Sequence, residues 1–122
     1  MAYRLEFPPG TTLINVNSRE HYRTRAKVTK SLRAMGCSLA RAQRIPRLER
    51  ARVKAFYFPP DRRRRDSSNV LFLSVKACLD GCTDAGIWAD DNDKVVAGIE
   101  LVPGDHIVRG GQMVVIIEEV SG

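Results

Sequence analysis

The chain has 122 residues, of which 43% are hydrophobic, and a formal net charge of +6 at pH 7. This length suits one compact domain and excludes two domains of ordinary size. Apolar runs such as residues 70–73 and 114–117 fall far short of the roughly 20 residues that span a bilayer, and no signal-peptide pattern is visible. We therefore expect a single domain, residues 1–122, that is cytoplasmic and does not associate with a membrane.

The charge is distributed unevenly along the chain. Residues 17–65 carry 16 Lys and Arg against 3 acidic residues, a local charge of +13, whereas residues 66–122 carry 3 basic residues against 10 acidic ones, a local charge of −7. A segment that attracts phosphates, joined to one that could bind cations, fits a nucleic-acid enzyme better than a plain binding module. The alternative is that folding intermixes both segments into ordinary surface ion pairs.

The N-terminal half predicts one strand and one long helix. Tyr3, Leu5 and Phe7 alternate with polar residues, which indicates a strand over residues 2–7. From Ser18, a plausible N-cap, to about Arg44 the pattern is helical. The apolar stripe of this helix should face the core and comprises Val28, Leu32, Met35, Leu39 and Ala42. Gly36 weakens the helix by roughly 1 kcal/mol relative to alanine, so a break there is the alternative.

The opposite side of this helix is basic. Six cations fall on it: Arg19, Arg23, Lys30, Arg33, Arg41 and Arg44. Charged helix faces are usually just solvated, but this one has almost no acidic residues to pair with its cations. We expect some of these residues to contact phosphates.

A second strand and a second helix follow. Residues 50–58 alternate charged and apolar side chains before becoming wholly apolar, which predicts a strand with one wet face. A helix is predicted over about 68–85, with Gly86 as its stop. Its buried stripe would be Leu71, Val75, Cys78, Leu79 and Cys82, and a smaller apolar strip, Val70, Leu73 and Ala77, is a candidate subunit contact.

Two strand candidates end the chain, at residues 94–102 and 112–120. Pro103-Gly104 and Gly110-Gly111 between them suggest a hairpin with a mobile tip. The order β-α-β-α-β-β implies an α+β domain with two helices packed on a mixed sheet. The three cysteines are odd in number and include no C-x-x-C pair, so we expect reduced core thiols rather than disulfides or a zinc site.

Four consecutive arginines, residues 62–65, lead directly to Asp66 at the predicted start of the second helix. Adjacent like charges repel one another and are tolerated where a polyanion neutralises them, and guanidinium groups suit phosphate. Asp66 has an ordinary alternative role as an N-cap. Asn69, Lys76 and Asp80 then project from one side of the helix, where Lys76 and Asp80 would otherwise be a routine i,i+4 pair.

A second acidic cluster, Asp90, Asp91 and Asp93, occupies a predicted turn before the third strand. Aspartate is common in turns of any protein, so this cluster alone is a weak signal. Hard divalent cations, however, need carboxylate oxygens, usually from two or more chain segments. We predict that Asp66 and Asp91 come together, because phosphate-binding arginines beside metal-binding carboxylates are the two halves of a metal-dependent nuclease site.

These motifs together resemble the RusA family of Holliday-junction resolvases, which occur in phages and prophages. The resemblance rests on Asp61-Arg62-Arg63-Arg64-Arg65-Asp66-x-x-Asn69, a helix lysine, Asp80-Gly81-x-x-Asp84-Ala85-Gly86 and Trp88-x-Asp90-Asp91, and also on Asn15-Val16-Asn17-Ser18-Arg19 before the first helix. It covers most of the chain. It implies a Mg²⁺-dependent endonuclease, with Mn²⁺ as a substitute, that makes paired symmetric nicks in four-way DNA junctions during recombination and repair.

The resemblance also implies residue roles. Asp66, Asp91 and Lys76 would be catalytic, and Asp66 and Asp91, with Asp90, would bind the metal. DNA would be bound by Arg62, Arg63, Arg64, Arg65, Asn69, Asn17, Arg19, Arg23, Lys27 and Lys30. The protein would act as a homodimer in the cytoplasm of a bacterial host, without a small-molecule cofactor, because a twofold dimer presents two identical sites to a symmetric junction.

The chain departs from the family at one position. The family motif after the arginines is D-x-D-N, and Ser68 stands where its second aspartate belongs. Serine carries no charge, so metal affinity should weaken. The alternatives are a site that recruits Asp90 or Asp93, a mutation made to trap a complex, or a weakened or inactive branched-DNA binding protein. A small basic RNA-binding or ribosome-associated protein is disfavoured because exposed aromatic pairs are lacking.

Overall fold

Two helices lie on one face of a four-stranded sheet. The computed structural model describes residues 1–14, 22–62, 67–90, 92 and 94–120, with the backbone alone for residues 67–70. In chain order the elements are β1 (Ala2–Glu6), α1 (Tyr22–Ala42), β2 (Ala51–Phe58), α2 (Ser67–Asp84), β3 (Val96–Pro103) and β4 (Gln112–Glu119). The predicted α+β class, with two helices packed on a mixed sheet, is confirmed.

The strand order is β1-β4-β2-β3. Strand β4 is antiparallel to both β1 and β2, and β3 is parallel to β2. The predicted hairpin of the last two strands is therefore wrong, because β2 lies between them. The run Met113 to Ile117 is apolar on both faces and takes a central position, where Val114 and Val115 are buried. Strand β3 has more exposed positions and lies at the edge.

The main core lies between the sheet and the helices. Alternate residues of the strands point into it, among them Leu5, Val53, Ala55, Val115 and Ile117. All five predicted stripe residues of α2 are buried. Of the smaller strip, Ala77 is buried and Leu73 is exposed, while the Val70 side chain is not described, so Ala77 does not belong to an exposed subunit contact. Neither helix, as far as it is described, is long and apolar enough to cross a membrane.

Helix α1 differs from its predicted pattern in which residues are buried. Its buried residues are Leu32, Gly36 and Ala40, with Val28, Met35 and Leu39 partly buried beside them, whereas Ala42 is exposed. The helix runs through Gly36 without a break. Its predicted start at Ser18 lies outside the described residues.

Glycines bring the two helices into backbone contact. A Cβ atom at Gly81 of α2 would lie 2.1 Å from the carbonyl oxygen of Arg33, and one at Gly36 of α1 would lie 2.7 Å from the carbonyl oxygen of Cys78. Both distances are far below van der Waals contact, so only glycine fits at either position. The helices therefore pack closer together than side chains would allow.

The other face of the sheet, away from the helices, is partly exposed to solvent, although Phe58 and Val114 on it are buried. Its side chains include Arg4, Lys54, Phe56 and Ile116, which alternate with core residues along their strands. At one end the loop after β3 folds over this face, and the His106 ring lies 4.6 Å from the ring of Phe58 between centroids.

Two of the three cysteines lie in the core, as predicted. Cys78 and Cys82 are buried, Cys37 is half-buried, and all three are free. A hydrogen bond with Cys82, together with burial, raises the pKa of the Cys78 thiol well above its ordinary value. Thiols held in this protonated form are poor nucleophiles and poor metal ligands, which fits a packing role.

The glycine contact generates a stability prediction. Gly81→Ala should lower the free energy of unfolding by about 1–3 kcal/mol, because the added methyl forces the helix backbones apart despite the better helix propensity of alanine. Gly98→Ala on β3 is the matched control, since nothing lies within 4 Å of its would-be Cβ. Urea denaturation of the three proteins checks this. Equal stability of both variants would contradict the backbone contact.

Candidate functional site

The segment after β2 lies at the carboxyl-end edge of that strand. The backbone oxygen of Pro59 accepts a hydrogen bond from the amide of Val108 at 3.0 Å, and that of Tyr57 accepts one from Gly104 at 2.8 Å. The loop after β3 is thereby held beside the start of the arginine run. Arg62 is exposed and lines an open groove with Asp61, Asp105 and His106. Arg63, Arg64, Arg65 and Asp66 lie outside the described residues.

The first half of α1 presents cations at the same edge. Arg23, Lys27 and Lys30 are exposed and spaced four and three residues apart, so they share one helix face. The first turn of α1 contains no acidic residue. The Arg23 guanidinium lies 6.0 Å from the centre of the Tyr22 ring, at the outer limit of a cation–π contact. The predicted DNA-binding residues Asn17 and Arg19 lie outside the described residues.

Lys76 lies on α2 beside α1. Its Nζ is 3.8 Å from Oδ1 of Asp80, and both side chains are partly exposed. This is the i,i+4 pair expected from the spacing, and at this exposure such a pair contributes little stability. Asn69 belongs to the same helix two turns earlier, about 10 Å along the axis, but its side chain is not described.

The second acidic cluster lies in the connection from α2 to β3. Asp90 is exposed, whereas Asp91 and Asp93 lie outside the described residues. Asn92 shapes the turn, because its side-chain oxygen accepts hydrogen bonds from the amides of Lys94 and Val95 at 3.0 and 3.3 Å. The connection is fixed further back by Leu48, whose amide donates to the Ile87 oxygen at 2.6 Å. Asn92 is therefore a turn residue.

The described neighbours of Asp66 and those of the second acidic cluster lie at opposite edges of the sheet. The second cluster precedes β3, whose start pairs with the start of β2 through Val96 and Ala51. The arginine run follows the other end of β2, eight residues or about 26 Å away. Helix α2, which joins the two regions, is 18 residues or about 27 Å long. The described residues next to Asp66 and those next to Asp91 thus lie far apart within one chain.

The predicted metal pair itself is untested. Asp66 and Asp91 both lie outside the described residues. Within the described ranges, no group of three or more His, Cys, Asp or Glu side chains is arranged to hold a metal ion. The prediction that Asp66 and Asp91, with Asp90, share an ion therefore stays a prediction.

One cation of the predicted basic face pairs with an acid. The guanidinium of Arg33 donates two hydrogen bonds to the carboxylate of Asp84, at 2.6 and 2.8 Å, and so joins α1 to the end of α2. These hydrogen bonds, aided by the positive charges of Arg33 and Arg41, lower the pKa of Asp84 below its ordinary value. Charges from the two halves of the sequence thus intermix where α2 ends. In the first half of α1, by contrast, the first turn contains no acidic residue.

Sequence reasoning missed an aromatic patch. Phe56 and Phe58 lie on the open face of the sheet, with ring centroids 6.4 Å apart and planes within 12° of parallel. They line a groove of about 430 Å³ with Arg4, His106 and neighbouring apolar side chains. The signal was present in the alternation along β2, because Phe56 and Phe58 continue the wet face of Arg52 and Lys54. Phe58 is only 9% exposed, however, so the patch offers one half-buried ring, Phe56, and not the exposed aromatic pair that base stacking uses.

Comparison with known proteins adds no family to this description. No protein-family model matches the chain, and no curated protein matches it. The resemblance to the RusA resolvases rests on the spaced motifs alone.

The Arg33–Asp84 pair predicts a pH dependence of stability. Because the folded-state pKa of Asp84 is lowered from 3.8, its contribution is present above about pH 4 and is lost as pH falls through the folded value. Asp84→Asn should remove this contribution. Unfolding free energies of both proteins should differ at neutral pH and converge below pH 3.8. A difference in unfolding free energy that stays constant down to pH 2 would contradict the ion pair. The control is Arg33→Gln, introduced into wild type and into Asp84→Asn.

Proposed function

We propose that this chain is a RusA-like, Mg²⁺-dependent endonuclease that cuts four-way DNA junctions as a homodimer. The observation that carries the proposal is the concentration of cations at one edge of the fold. Arg23, Lys27 and Lys30 of α1, Lys76 of α2 and Arg62 after β2 all belong to elements that begin or end there. The arginine run continues from the same place. A cation-rich edge of this kind suits the phosphates of two converging duplex arms.

The proposed roles follow the motifs. Arg62 to Arg65 and the cations of α1 position the DNA backbone without reading its bases. Lys76 stabilises negative charge at the cleaved phosphate or its leaving oxygen. Asp66 and Asp91, with Asp90, supply the hard oxygen ligands that Mg²⁺ prefers, and the ion, when bound, would neutralise charge on the phosphate.

A homodimer reconciles the proposed metal pair with the topology. In the sequence, Asp66 and the second acidic cluster flank α2 at its opposite ends, and their described neighbours lie at opposite edges of the sheet. A twofold axis can place the acidic turn of one subunit beside the α2 start of the other, and it then does so twice. We propose that each metal site takes Asp66 from one subunit and the partner's Asp91.

The second candidate is a branched-DNA binding protein without nuclease activity. The observation that favours it is Ser68, which replaces a charged ligand by a hydroxyl group. Loss of one carboxylate weakens binding of a hard divalent cation. The cation-rich edge would remain, so binding to junctions would persist without cutting.

A nicking assay separates the two candidates. With Mg²⁺ and a synthetic four-way junction, the enzyme should make symmetric nicks, and Asp91→Asn should lower the rate about a hundredfold or more, because losing a direct ligand should cost at least as much as losing its supporting shell. Ser68→Asp should raise the rate. Glu49→Gln, which removes an exposed carboxylate from the loop after α1, should leave it unchanged. Junction binding with no nicks in wild type or in Ser68→Asp would sink the nuclease proposal.

Mixed dimers test the sharing of sites between subunits. An Asp66→Asn chain and an Asp91→Asn chain, each inactive alone, are coexpressed with different tags, and the heterodimer is purified. If the site is shared, one of its two sites carries both substitutions and the other carries neither, so roughly half of the sites recover. If each site lies within one chain, both sites stay damaged. A heterodimer no more active than its parents would therefore refute the shared site. The Ser68→Asp background is used if wild type is slow.

A further inference from the structure

A small cleft between α1 and α2 lies at the cation-rich edge. Its volume is about 200 Å³, below the roughly 300–1,000 Å³ typical of sites for drug-sized ligands but well above the roughly 30 Å³ of one water. The side chains around it are Ile14, Arg25, Thr29, Leu73, Lys76, Ala77 and Asp80. The cleft therefore has room for a small ion with its hydration, and not for a base and sugar.

Arg25 is the unusual member of this lining. Its Nε atom is buried, yet it has no hydrogen-bond partner among the described residues. A buried N–H group without an acceptor costs free energy, more so when it carries charge, and such groups in proteins usually mark a missing partner. Neighbouring Thr29 is not its partner either: the Thr29 hydroxyl donates to the backbone oxygen of Arg25 at 2.8 Å and makes no hydrogen bond with Nε.

The charges around the cleft indicate which kind of ligand would bind there. Arg25 and Lys76 contribute two positive charges and Asp80 one negative charge, so the lining is positive overall. Ile14, Leu73 and Ala77 make one side of the cleft apolar, which reduces the dielectric screening of charges beside it. An oxyanion with several acceptor atoms satisfies Arg25 and Lys76 together, which one water cannot do.

We propose that the cleft is a phosphate subsite, in which Arg25 donates its Nε–H to one backbone phosphate of the bound DNA and Lys76 faces the same group. Asp80 holds the Lys76 ammonium at the mouth of the cleft until the phosphate arrives. Arg25 was not among the predicted DNA-binding residues, and Asp80 had no assigned role. The identification of the phosphate as DNA rests on the proposed function, whereas the anion site itself does not.

The binding test uses a fluorescent four-way junction and a duplex without divalent ions, so that no cleavage intervenes. Arg25→Gln should weaken binding about tenfold and lower the slope of log affinity against log salt by about one, the signature of one lost phosphate contact. Arg25→Lys should keep the salt slope and lose part of the affinity, because lysine keeps the positive charge but lacks the planar set of N–H donors of a guanidinium group. Asp80→Asn should tighten binding roughly threefold, since it removes a repelling charge.

Arg47→Gln is the matched control. It removes the same charge from an exposed loop position at the opposite edge of the sheet and should change neither the slope nor the affinity. Circular dichroism confirms that each variant is folded. The phosphate subsite is wrong if the affinity and salt slope of Arg25→Gln equal those of wild type or of Arg47→Gln. It is also wrong if Asp80→Asn weakens binding.

A second measurement needs neither DNA nor a variant. In ¹⁵N spectra of wild-type protein, the Arg25 Nε–H signal should shift on titration with inorganic phosphate and saturate, whereas chloride at equal ionic strength should leave it in place. Saturation by phosphate without any Arg25 effect on junction binding would mean an adventitious ion only and would overturn the subsite. The nuclease proposal can fail separately, because binding is measured apart from cleavage. If no cleavage is found but Arg25→Gln weakens junction binding and phosphate shifts the Arg25 Nε–H signal, the subsite remains supported.

Discussion

The backbone contact between α1 and α2 is the constraint on which the rest of the molecule depends. Gly36 and Gly81 remove the side chains that would keep the helices apart, so each helix packs against main-chain atoms of the other. This contact sets the width of the cleft between Arg25 and Lys76 and brings Arg33 within reach of Asp84. The spacing of these charges is therefore set by main-chain packing and not by flexible surface side chains.

Local periodicity in the sequence was enough to predict the elements but not their arrangement. Strands and helices lie where alternation and helical spacing indicate them, and the buried stripe of α2 is the predicted one. The strand order could not be derived in the same way. A short glycine-rich connection favours a hairpin locally, but the run Met113 to Ile117 is apolar on both faces and gains more by lying between two strands. Gly36 was likewise interpreted as a weak point, because helix propensity ignores what packs against it.

Some features of the candidate site follow from local sequence spacing, and others appear only in the folded chain. The shared face of Arg23, Lys27 and Lys30 follows from helical spacing, and so does the pairing of Lys76 with Asp80. The ion pair between Arg33 and Asp84 joins residues 51 positions apart and could not be predicted from composition. Arg25 was overlooked because an arginine beside a buried stripe looks like surface, and only the packed helices show that its Nε is enclosed.

The edge position of β3 restricts how two copies of the chain can associate. Within the described chain, β3 pairs with β2 alone, and its other side is free. Pro103 has no amide hydrogen to offer an incoming strand, and the exposed carboxylate of Glu100 discourages close approach of a like-charged copy. Sheet continuation across subunits is thus disfavoured on this side. Two molecules would instead meet elsewhere, so that the sheet is not extended beyond β3.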